Sequence, residues 1–289
     1  MLHRFVLHNE EIREASDHFL SPGQVGLMSG WGVFSTLKVT SGVLFAFERH
    51  WARICRDAAI LHVTVPEDAE KVGGRLHELV EANQAYNATL RLILVRNHGG
   101  MWAGAGNGRP SDLIALTADS KQWGAGARLT YTAQARHAGC QFAGTKSLSW
   151  AMNLTWLEEA QAKGFDEVIL LNERGEVSEC TSANIFIAQG NQVWTPPLSS
   201  GCLPGITREL LLSDVRVPEF PVGEKALSPA ELERADDVFI SSTTRDLLPV
   251  LEIDGRPTRG RNRARAVLQE VFSAYVTRYI AARAHASRG

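Results

Sequence analysis

The chain has 289 residues, 44% hydrophobic and 21% charged, and its formal net charge is −2. This length indicates one large domain or two smaller ones, because a domain holds about 100–200 residues. The apolar content excludes a disordered chain, and the balanced charge argues against a nucleic-acid-binding protein. The sequence has no apolar run of about 18 residues, so no membrane span is predicted.

The four cysteines are scattered, with no C-x-x-C pair. This distribution predicts neither a disulfide framework nor a metal site. The first residues, MLHRFVLHNEEIREA, lack the apolar stretch of a secretory signal. From these two observations we expect a cytoplasmic protein.

The first half of the sequence mixes strands and helices. Apolar residues at helical spacing predict a helix over about Glu48–Leu61, and Pro66 suits the start of a second helix that ends near Ala85. Glycines predict a loop over 97–110. The predicted strands are 5–8, Val33–Lys38 and Val43–Phe47 in a hairpin around Thr40–Gly42, Leu90–Val95 and Leu113–Leu116.

A polar segment with two glycines, 119–126, predicts a linker between a smaller domain at 1–118 and a larger domain at 127–289. In the larger domain, Ser228–Glu231 predicts a capping box with a proline at the first helical position. Since the strands cluster more often than they alternate with helices, the fold class is α+β. The other predicted elements are strands 128–133, 167–171, 184–188, 192–194 and 238–241 and helices 148–163 (closed by Gly164), 206–215 and 263–283.

Four separated segments carry residues that suit one kind of site. They contain Lys146 in KSLSW, Glu179 in SECTSANIF, the turn LPGITR and the turn SSTTR. Each segment also has a plain structural interpretation, as a surface charge or a cap. Taken alone, no segment favours a functional role over that interpretation. Together they supply an amine for a Schiff base, a carboxylate for a ring nitrogen and amide turns for a phosphate, which fit pyridoxal 5′-phosphate.

These segments, in this order, resemble the fold-type IV (class IV) aminotransferases, which include branched-chain and D-amino-acid aminotransferases and aminodeoxychorismate lyases. The upstream GWGVF run and the HWAR helix resemble the N-terminal part of that family. The resemblance implies a homodimer with a small α+β N-terminal domain and a larger pseudo-barrel C-terminal domain.

The resemblance also implies the roles of single residues. Lys146 is expected to form the Schiff base and to move the substrate proton, and Glu179 to pair with the pyridinium nitrogen. Arg96 either holds a substrate carboxylate or is a solvent-exposed arginine at a strand end, and His98 is a second candidate of the same kind. The residues expected to bind the cofactor are Arg53, Glu179, Ser182, Leu203, Ile206, Thr207 and Thr243.

The signals for the substrate conflict. SECTSAN resembles the D-amino-acid aminotransferases and the lyases, whereas TPPL and LPGITR resemble the branched-chain enzymes. Trp31 stands where the family commonly has an acidic residue, and Ala151 stands where branched-chain enzymes commonly have a tyrosine. We therefore expect an aminotransferase acting on a small amino acid, branched-chain or otherwise hydrophobic, and a 2-oxo acid. The alternatives are a D-amino-acid aminotransferase and a 4-amino-4-deoxychorismate lyase, which releases pyruvate.

Overall fold

The computed structural model describes residues 1–65, 68–100 and 108–286. The chain divides into two compact units, which begin at Met1 and at Gln122. Thr145–Trp150 and the residues from Tyr279 onward are grouped with the first unit, although the sequence-based division leaves both in the second domain. Pro66 and residues 101–107, half of the predicted 97–110 loop, lie outside the described residues.

The first unit is an antiparallel sheet with helices that share its core. Its strands follow the order β2-β1-β6-β5-β3-β4. Apolar side chains of α2 and α3 bury together with those of the central strands, for example Ile54, Leu76 and Leu92. The elements are β1 (Leu2–His8), β2 (Glu11–Glu14), α1 (Val25–Ser29), β3 (Gly32–Thr40), β4 (Val43–Leu44), α2 (Phe47–Ile60), α3 (Ala69–Ala82), β5 (Ala88–Arg96) and β6 (Ser111–Asp119).

The predicted hairpin is confirmed, because β3 and β4 pair antiparallel with Thr40 opposite Val43. The predicted second strand is too long, since Phe47 already begins α2. Ala46 precedes that helix with a φ of 53°, a left-handed conformation that ends the extended chain there.

The second unit holds one large sheet and most of the remaining helices. Its strands follow the order β12-β11-β10-β13-β14-β7-β8-β9, with β15 paired to β14. The last helix, α7, belongs to this unit as far as Arg278. The elements are β7 (Ala127–Arg136), α4 (Ala151–Ala162), β8 (Glu167–Asn172), β9 (Val177–Cys180), β10 (Asn184–Gln189), β11 (Gln192–Thr195), α5 (Ile206–Ser213), β12 (Val222–Glu224), α6 (Pro229–Arg234), β13 (Asp237–Ser242), β14 (Asp246–Ile253), β15 (Arg256–Pro257) and α7 (Arg263–Ala286).

This large sheet curls back on itself. β10 and β9 stand at the two ends of a run of six strands, yet the turn between Cys180 and Asn184 joins them directly. Six flat strands would hold their outer members roughly 24 Å apart, whereas that turn spans at most about 14 Å. The sheet must therefore curve, which confirms the predicted pseudo-barrel and the α+β class.

The helix that follows Lys146 begins later than predicted. Residues 148–150 are not helical, because the Leu148 backbone N–H donates to the Gly32 carbonyl oxygen and extends the chain beside β3. The predicted end is confirmed, since Gly164 follows α4 with a φ of 86°. The predicted capping box of α6 is also present, with Pro229 at the first helical position. In the described ranges, no helix combines the length and apolar character that a membrane crossing requires.

Candidate active site

The backbone of Lys146 pairs with β3 of the first unit. Its carbonyl oxygen accepts from the Phe34 N–H at 3.0 Å, and its own N–H donates to Asp57 Oδ2 at 3.1 Å. Asp57 is 1% exposed, so the anchor for this backbone is a buried carboxylate. The extended conformation therefore fixes the point from which the lysine side chain starts.

The amine of Lys146 lies close to two aromatic rings. Its Nζ is 4.5 Å from the centre of the Phe34 ring and 4.7 Å from the centre of the Trp150 ring. The two rings meet edge to face, with an interplanar angle of 89°. Both ring distances are within the range of a cation–π interaction, so protonated Lys146 is stabilised in this position.

Arg53 is buried and connected to a histidine through one hydroxyl. Its Nη2 donates to Ser35 Oγ at 2.7 Å, and the same oxygen lies 2.8 Å from His50 Nδ1. Burial lowers the pKa of His50 well below its usual value, and the charges of Arg53 and Lys146 lower it further. Since Ser35 accepts from the arginine, its proton is available to a neutral His50 whose Nδ1 accepts. The chain Arg53–Ser35–His50 therefore fixes the guanidinium.

Arg96 and His98 lie together at the end of β5. Arg96 Nε donates to the His98 carbonyl oxygen at 2.7 Å, and Nη1 donates to the His62 carbonyl oxygen at 2.8 Å. The guanidinium carbon lies 4.1 Å from the centre of the Trp31 ring. The tryptophan in GWGVF therefore stacks on Arg96, which gives this departure from the family pattern a structural role.

Arg96 and Lys146 flank the same end of β3. The Arg96 N–H donates to the Trp31 carbonyl oxygen on one side, and the segment of Lys146 pairs with β3 on the other, where Val33 is opposite Ser147. With adjacent strands about 4.8 Å apart, the two backbones are roughly 10 Å apart. This spacing suits two groups that bind different parts of one small molecule.

In the second unit, Glu179 is held by an arginine and a backbone amide. Arg136 Nε donates to Glu179 Oε1 at 3.1 Å, and the Leu203 N–H donates to Oε2 at 3.1 Å. The Glu179 side chain is 9% exposed. The Arg partner and the backbone donor fix the position of this carboxylate, and a carboxylate can pair with a protonated ring nitrogen.

The turn before α5 is built around a glycine. Asn184 Nδ2 donates to the Leu203 carbonyl oxygen at 2.9 Å, and a Cβ at Gly205 would lie 2.1 Å from Asn184 Oδ1. A side chain at position 205 would therefore displace the Asn184 amide from this turn. Ile206 and Thr207 lie in the first turn of α5 and are buried. The first N–H groups of a helix have no partner within the helix, so they can bind an anion.

Ser182 is engaged by a buried ion pair. Its Oγ donates to Glu167 Oε2 at 2.5 Å and accepts from Arg245 Nη2 at 3.0 Å, and Arg245 also donates to Glu167 at 2.9 Å. Burial raises the pKa of Glu167 above its usual value, and Arg245 is the largest opposing influence.

Thr243 lies between β13 and β14, in the turn that ends with Arg245. Trp123 Nε1 donates to the Thr244 carbonyl oxygen at 2.8 Å, and the Arg245 guanidinium carbon lies 4.0 Å from the centre of the Trp123 ring. Arg245 Nη1 also donates to the Ser182 carbonyl oxygen at 3.0 Å. The turns that carry Ser182 and Thr243 are therefore joined.

The expected site residues fall into groups in each unit. Lys146, Arg53, Arg96 and His98 belong to the first, and Glu179, Ser182, Leu203, Ile206, Thr207 and Thr243 belong to the second. Sequence reasoning missed four of their partners. Arg136 is 43 residues from Glu179, so no local spacing could reveal the pair. The other three are Ser35, Asp57 and Glu167.

Comparison with known proteins agrees with this chemistry. Residues 32–253 match the family described as amino-transferase class IV. A D-alanine aminotransferase of Bacillus licheniformis is 30% identical over 255 residues, covering 87% of this chain and 89% of that protein. A putative branched-chain-amino-acid aminotransferase of Methanocaldococcus jannaschii is 29% identical over 251 residues, covering 86% and 87%.

A solved structure gives the same result for the fold. The branched-chain aminotransferase from Thermoproteus uzoniensis with norvaline has a TM-score of 0.86 at 26% identity, and the match covers 95% of each chain. Enzymes of this class use pyridoxal 5′-phosphate. The chain therefore belongs to the class IV aminotransferases, and its fold is the fold-type IV architecture.

Proposed function

We propose that the protein transfers an amino group between a small amino acid with a branched or otherwise hydrophobic side chain and a 2-oxo acid. The observation that carries this proposal is the Lys146 amine beside the Phe34 and Trp150 rings. These rings give any side chain bound next to the amine an apolar surface. Arg96, across β3, offers a guanidinium for a substrate carboxylate.

The residues present fit the cofactor of the class. In the first unit, Lys146 supplies an amine for the aldehyde and Arg53 a guanidinium for the phosphate. In the second unit, Glu179 supplies a buried carboxylate for the ring nitrogen, and the first turn of α5 supplies amide N–H groups for the phosphate. Leu203 is expected to contact the ring, and Thr243 stays a proposed contact of the phosphate. For Ser182, which the resemblance also assigns to the cofactor, the contacts of its Oγ with Glu167 and Arg245 favour a structural role.

Pyridoxal 5′-phosphate supplies an electron sink for the substrate's Cα carbanion when it is bound. The chain's own residues do the rest. Lys146 would move the proton from Cα of the substrate to C4′ of the cofactor, and the Glu179 carboxylate would pair with the ring nitrogen. Arg53, fixed by Ser35, holds the phosphate, so that the reacting atoms stay within reach of the lysine amine.

The relatives support this substrate class. The D-alanine aminotransferase and the branched-chain aminotransferases named above carry, in their names, small or aliphatic amino acids as substrates. Their levels of identity to this chain are nearly equal, so the handedness of the donor is decided by experiment. The family's homodimer is proposed for this chain as well, and size-exclusion chromatography with light scattering tests it.

The test is a visible absorption spectrum of the purified protein with pyridoxal 5′-phosphate, before and after adding single L- and D-amino acids. We expect a band that bleaches with small hydrophobic donors of one handedness and returns when a 2-oxo acid is added. Pyruvate release from aminodeoxychorismate with no bleaching by any amino acid would replace the proposal with the lyase. Absence of any band would refute both.

Lys146→Ala and Lys146→Arg are the matched controls for the catalytic lysine. Alanine removes the amine, and arginine keeps the positive charge but cannot form a Schiff base under these conditions. We expect both variants to lose turnover entirely while remaining folded by circular dichroism. Turnover in either variant would contradict the role of Lys146.

A further inference from the structure

The rings of Phe34 and Trp150 point to a function beyond lining the substrate site. We propose that Trp150, together with Phe34, stabilises the positive charge that Lys146 acquires when it takes the substrate proton. This inference rests on the proposed function and deepens it, because it assigns to Trp150 a role in the rate of proton transfer.

The proton transfer creates a charge at a defined atom. The Cα–H bond of the substrate breaks, a new N–H bond forms at Lys146 Nζ, and the electron pair stays with the substrate carbon. The amine, neutral before the step, thus becomes an ammonium 4.5 Å and 4.7 Å from two ring centres. A ring attracts a cation at its face and has little effect on a neutral amine. The stabilisation therefore appears only as the proton moves, which is the condition for a rate effect.

The charges around Lys146 make stabilisation of its ammonium by the two rings useful. Arg53 is positive and belongs to the same cluster, because both Arg53 and Lys146 lower the pKa of His50. Two like charges in a partly buried cluster oppose each other. His50 adds no charge while it is neutral, and Asp57 binds the lysine backbone N–H with one oxygen and Arg56 with the other. The rings offer the ammonium a favourable contact at its own nitrogen.

Trp150 is the ring to test. Phe34 is 5% exposed and belongs to the interior of the sheet, and its ring also lies 4.9 Å from the Arg91 guanidinium. Replacing Phe34 would therefore change packing and a second cation contact. Trp150 is only half-buried and lies outside the helices and strands, in the segment just before α4.

The experiment measures how fast the holoenzyme exchanges the Cα hydrogen of an accepted amino acid with deuterium from the solvent, without a 2-oxo acid. Trp150→Leu keeps an apolar side chain and removes the ring, Trp150→Phe keeps a ring, and Trp150→Met is a second ring-free variant. Trp194→Leu is the matched control, because Trp194 lies 6.0 Å from Lys225 Nζ, outside the proposed machinery.

We expect exchange to slow about tenfold or more in the Leu and Met variants, to stay within about threefold of wild type in Trp150→Phe, and to be unchanged in Trp194→Leu. The cofactor absorption band is expected to have equal intensity in all of them. This pattern separates the effect of the aromatic ring from the effects of side-chain volume and of folding. Trp150→Phe retains fast exchange only if an aromatic face is what matters.

Exchange at the wild-type rate in a folded, cofactor-loaded Trp150→Leu or Trp150→Met would overturn the inference alone. The same conclusion follows if Trp150→Phe is as slow as Trp150→Leu. Wild-type protein that takes up no cofactor would instead overturn the proposed function, and this inference with it. The two failures are therefore distinguishable by the wild-type spectrum.

Discussion

Two arginine–glutamate pairs in the second unit have the same chemistry and different surroundings. Arg245 and Glu167 are 2.9 Å apart, with side chains that are 6% and 1% exposed. Arg136 and Glu179 are 3.1 Å apart, and their side chains are 17% and 9% exposed. We call Arg245–Glu167 the sealed pair, because solvent hardly reaches it, and Arg136–Glu179 the open pair, because both of its side chains are more exposed.

The carboxylates also differ in how their oxygens are used. Glu167 accepts from Arg245, Ser182 and Thr181 and is the first residue of β8. Glu179 accepts one hydrogen bond from Arg136 and one from the Leu203 N–H. A carboxylate has about four lone-pair positions, so Glu179 keeps capacity for a ligand. The difference shows that two properties distinguish a structural anchor from a ligand-binding group. They are the burial of the carboxylate and the number of its lone pairs already in hydrogen bonds, and they matter more than the residue type.

The largest expected effect comes from breaking the sealed pair. Arg245→Met leaves a buried carboxylate without its countercharge and removes the stacking on Trp123, so we expect the free energy of unfolding to fall by about 3–5 kcal/mol. Urea unfolding followed by circular dichroism measures this change.

The double variant Glu167→Gln with Arg245→Met is the control, because it removes both charges together. We expect it to recover part of the lost stability, since an uncharged pair leaves no buried ion uncompensated. If Arg245→Met alone costs less than about 1 kcal/mol, the sealed pair is not an anchor and the comparison fails.

The open pair is expected to affect activity more than folding. In Glu179→Gln, the amide oxygen can still accept from the Leu203 N–H, but the negative charge proposed to face the ring nitrogen is lost. We expect turnover to fall about 100-fold, equivalent to about 2.7 kcal/mol, with unfolding changed by no more than about 1 kcal/mol. Steady-state kinetics and urea unfolding of the same preparation measure both. A variant that is mainly destabilised would place Glu179 beside Glu167 as an anchor.

Ser182 contacts the sealed pair, and a substitution there distinguishes a structural link from a direct contact with the cofactor. If it only links Glu167 to Arg245, Ser182→Ala costs about 1–2 kcal/mol of stability, because it removes hydrogen bonds to buried charged groups, and cofactor affinity stays within about threefold. We expect this result from the contacts of its Oγ. Fluorescence titration with pyridoxal 5′-phosphate measures the affinity. A loss of affinity tenfold or greater would restore Ser182 as a direct contact.

Most of the fold could be predicted from local patterns, and the exceptions have physical reasons. β14 escaped prediction because Pro249 interrupts it, and proline is rare in a central strand. Pairing with β7 starts at Val250, one residue later, so on that side no hydrogen bond of the ladder is lost at the proline. α1 has five residues, too few for a helical period to appear.

The site residues could be predicted from the sequence only where one short segment carries the chemical signal. Lys146 and Glu179 stood out through their neighbours, and the resemblance supplied their roles. Ser35 and Arg136 could not be found in this way, because each acts through a partner far along the chain, 15 residues or more away. Trp31 appeared only as a departure from the family pattern, and its contact with Arg96 depends on the pairing of β3 with β5.

Glu231, in the capping box of α6, is the partly exposed counterpart of the two buried carboxylates and has the smallest expected effect. Lys225 and the Ser228 N–H lower its pKa to about 2, whereas burial raises the pKa of Glu167. A lowered pKa in the folded state means that the stabilisation is complete above the unfolded value near 4.5 and is lost as the pH falls toward 2.

Because the Lys225 side chain is 43% exposed, solvent screening limits the gain to about 1 kcal/mol or less. We expect the stability difference between wild type and Glu231→Gln, measured by thermal unfolding, to grow from pH 2 to pH 4.5 and then stay constant. Glutamine retains the cap, so Glu231→Ala should cost more at every pH. For Glu167 the sign is opposite, since a raised pKa makes protonation favour the folded state, and its contribution weakens as the pH rises from 4.5 toward the raised value. A Glu231→Gln difference independent of pH would show that the cap, and not the charge, carries the effect.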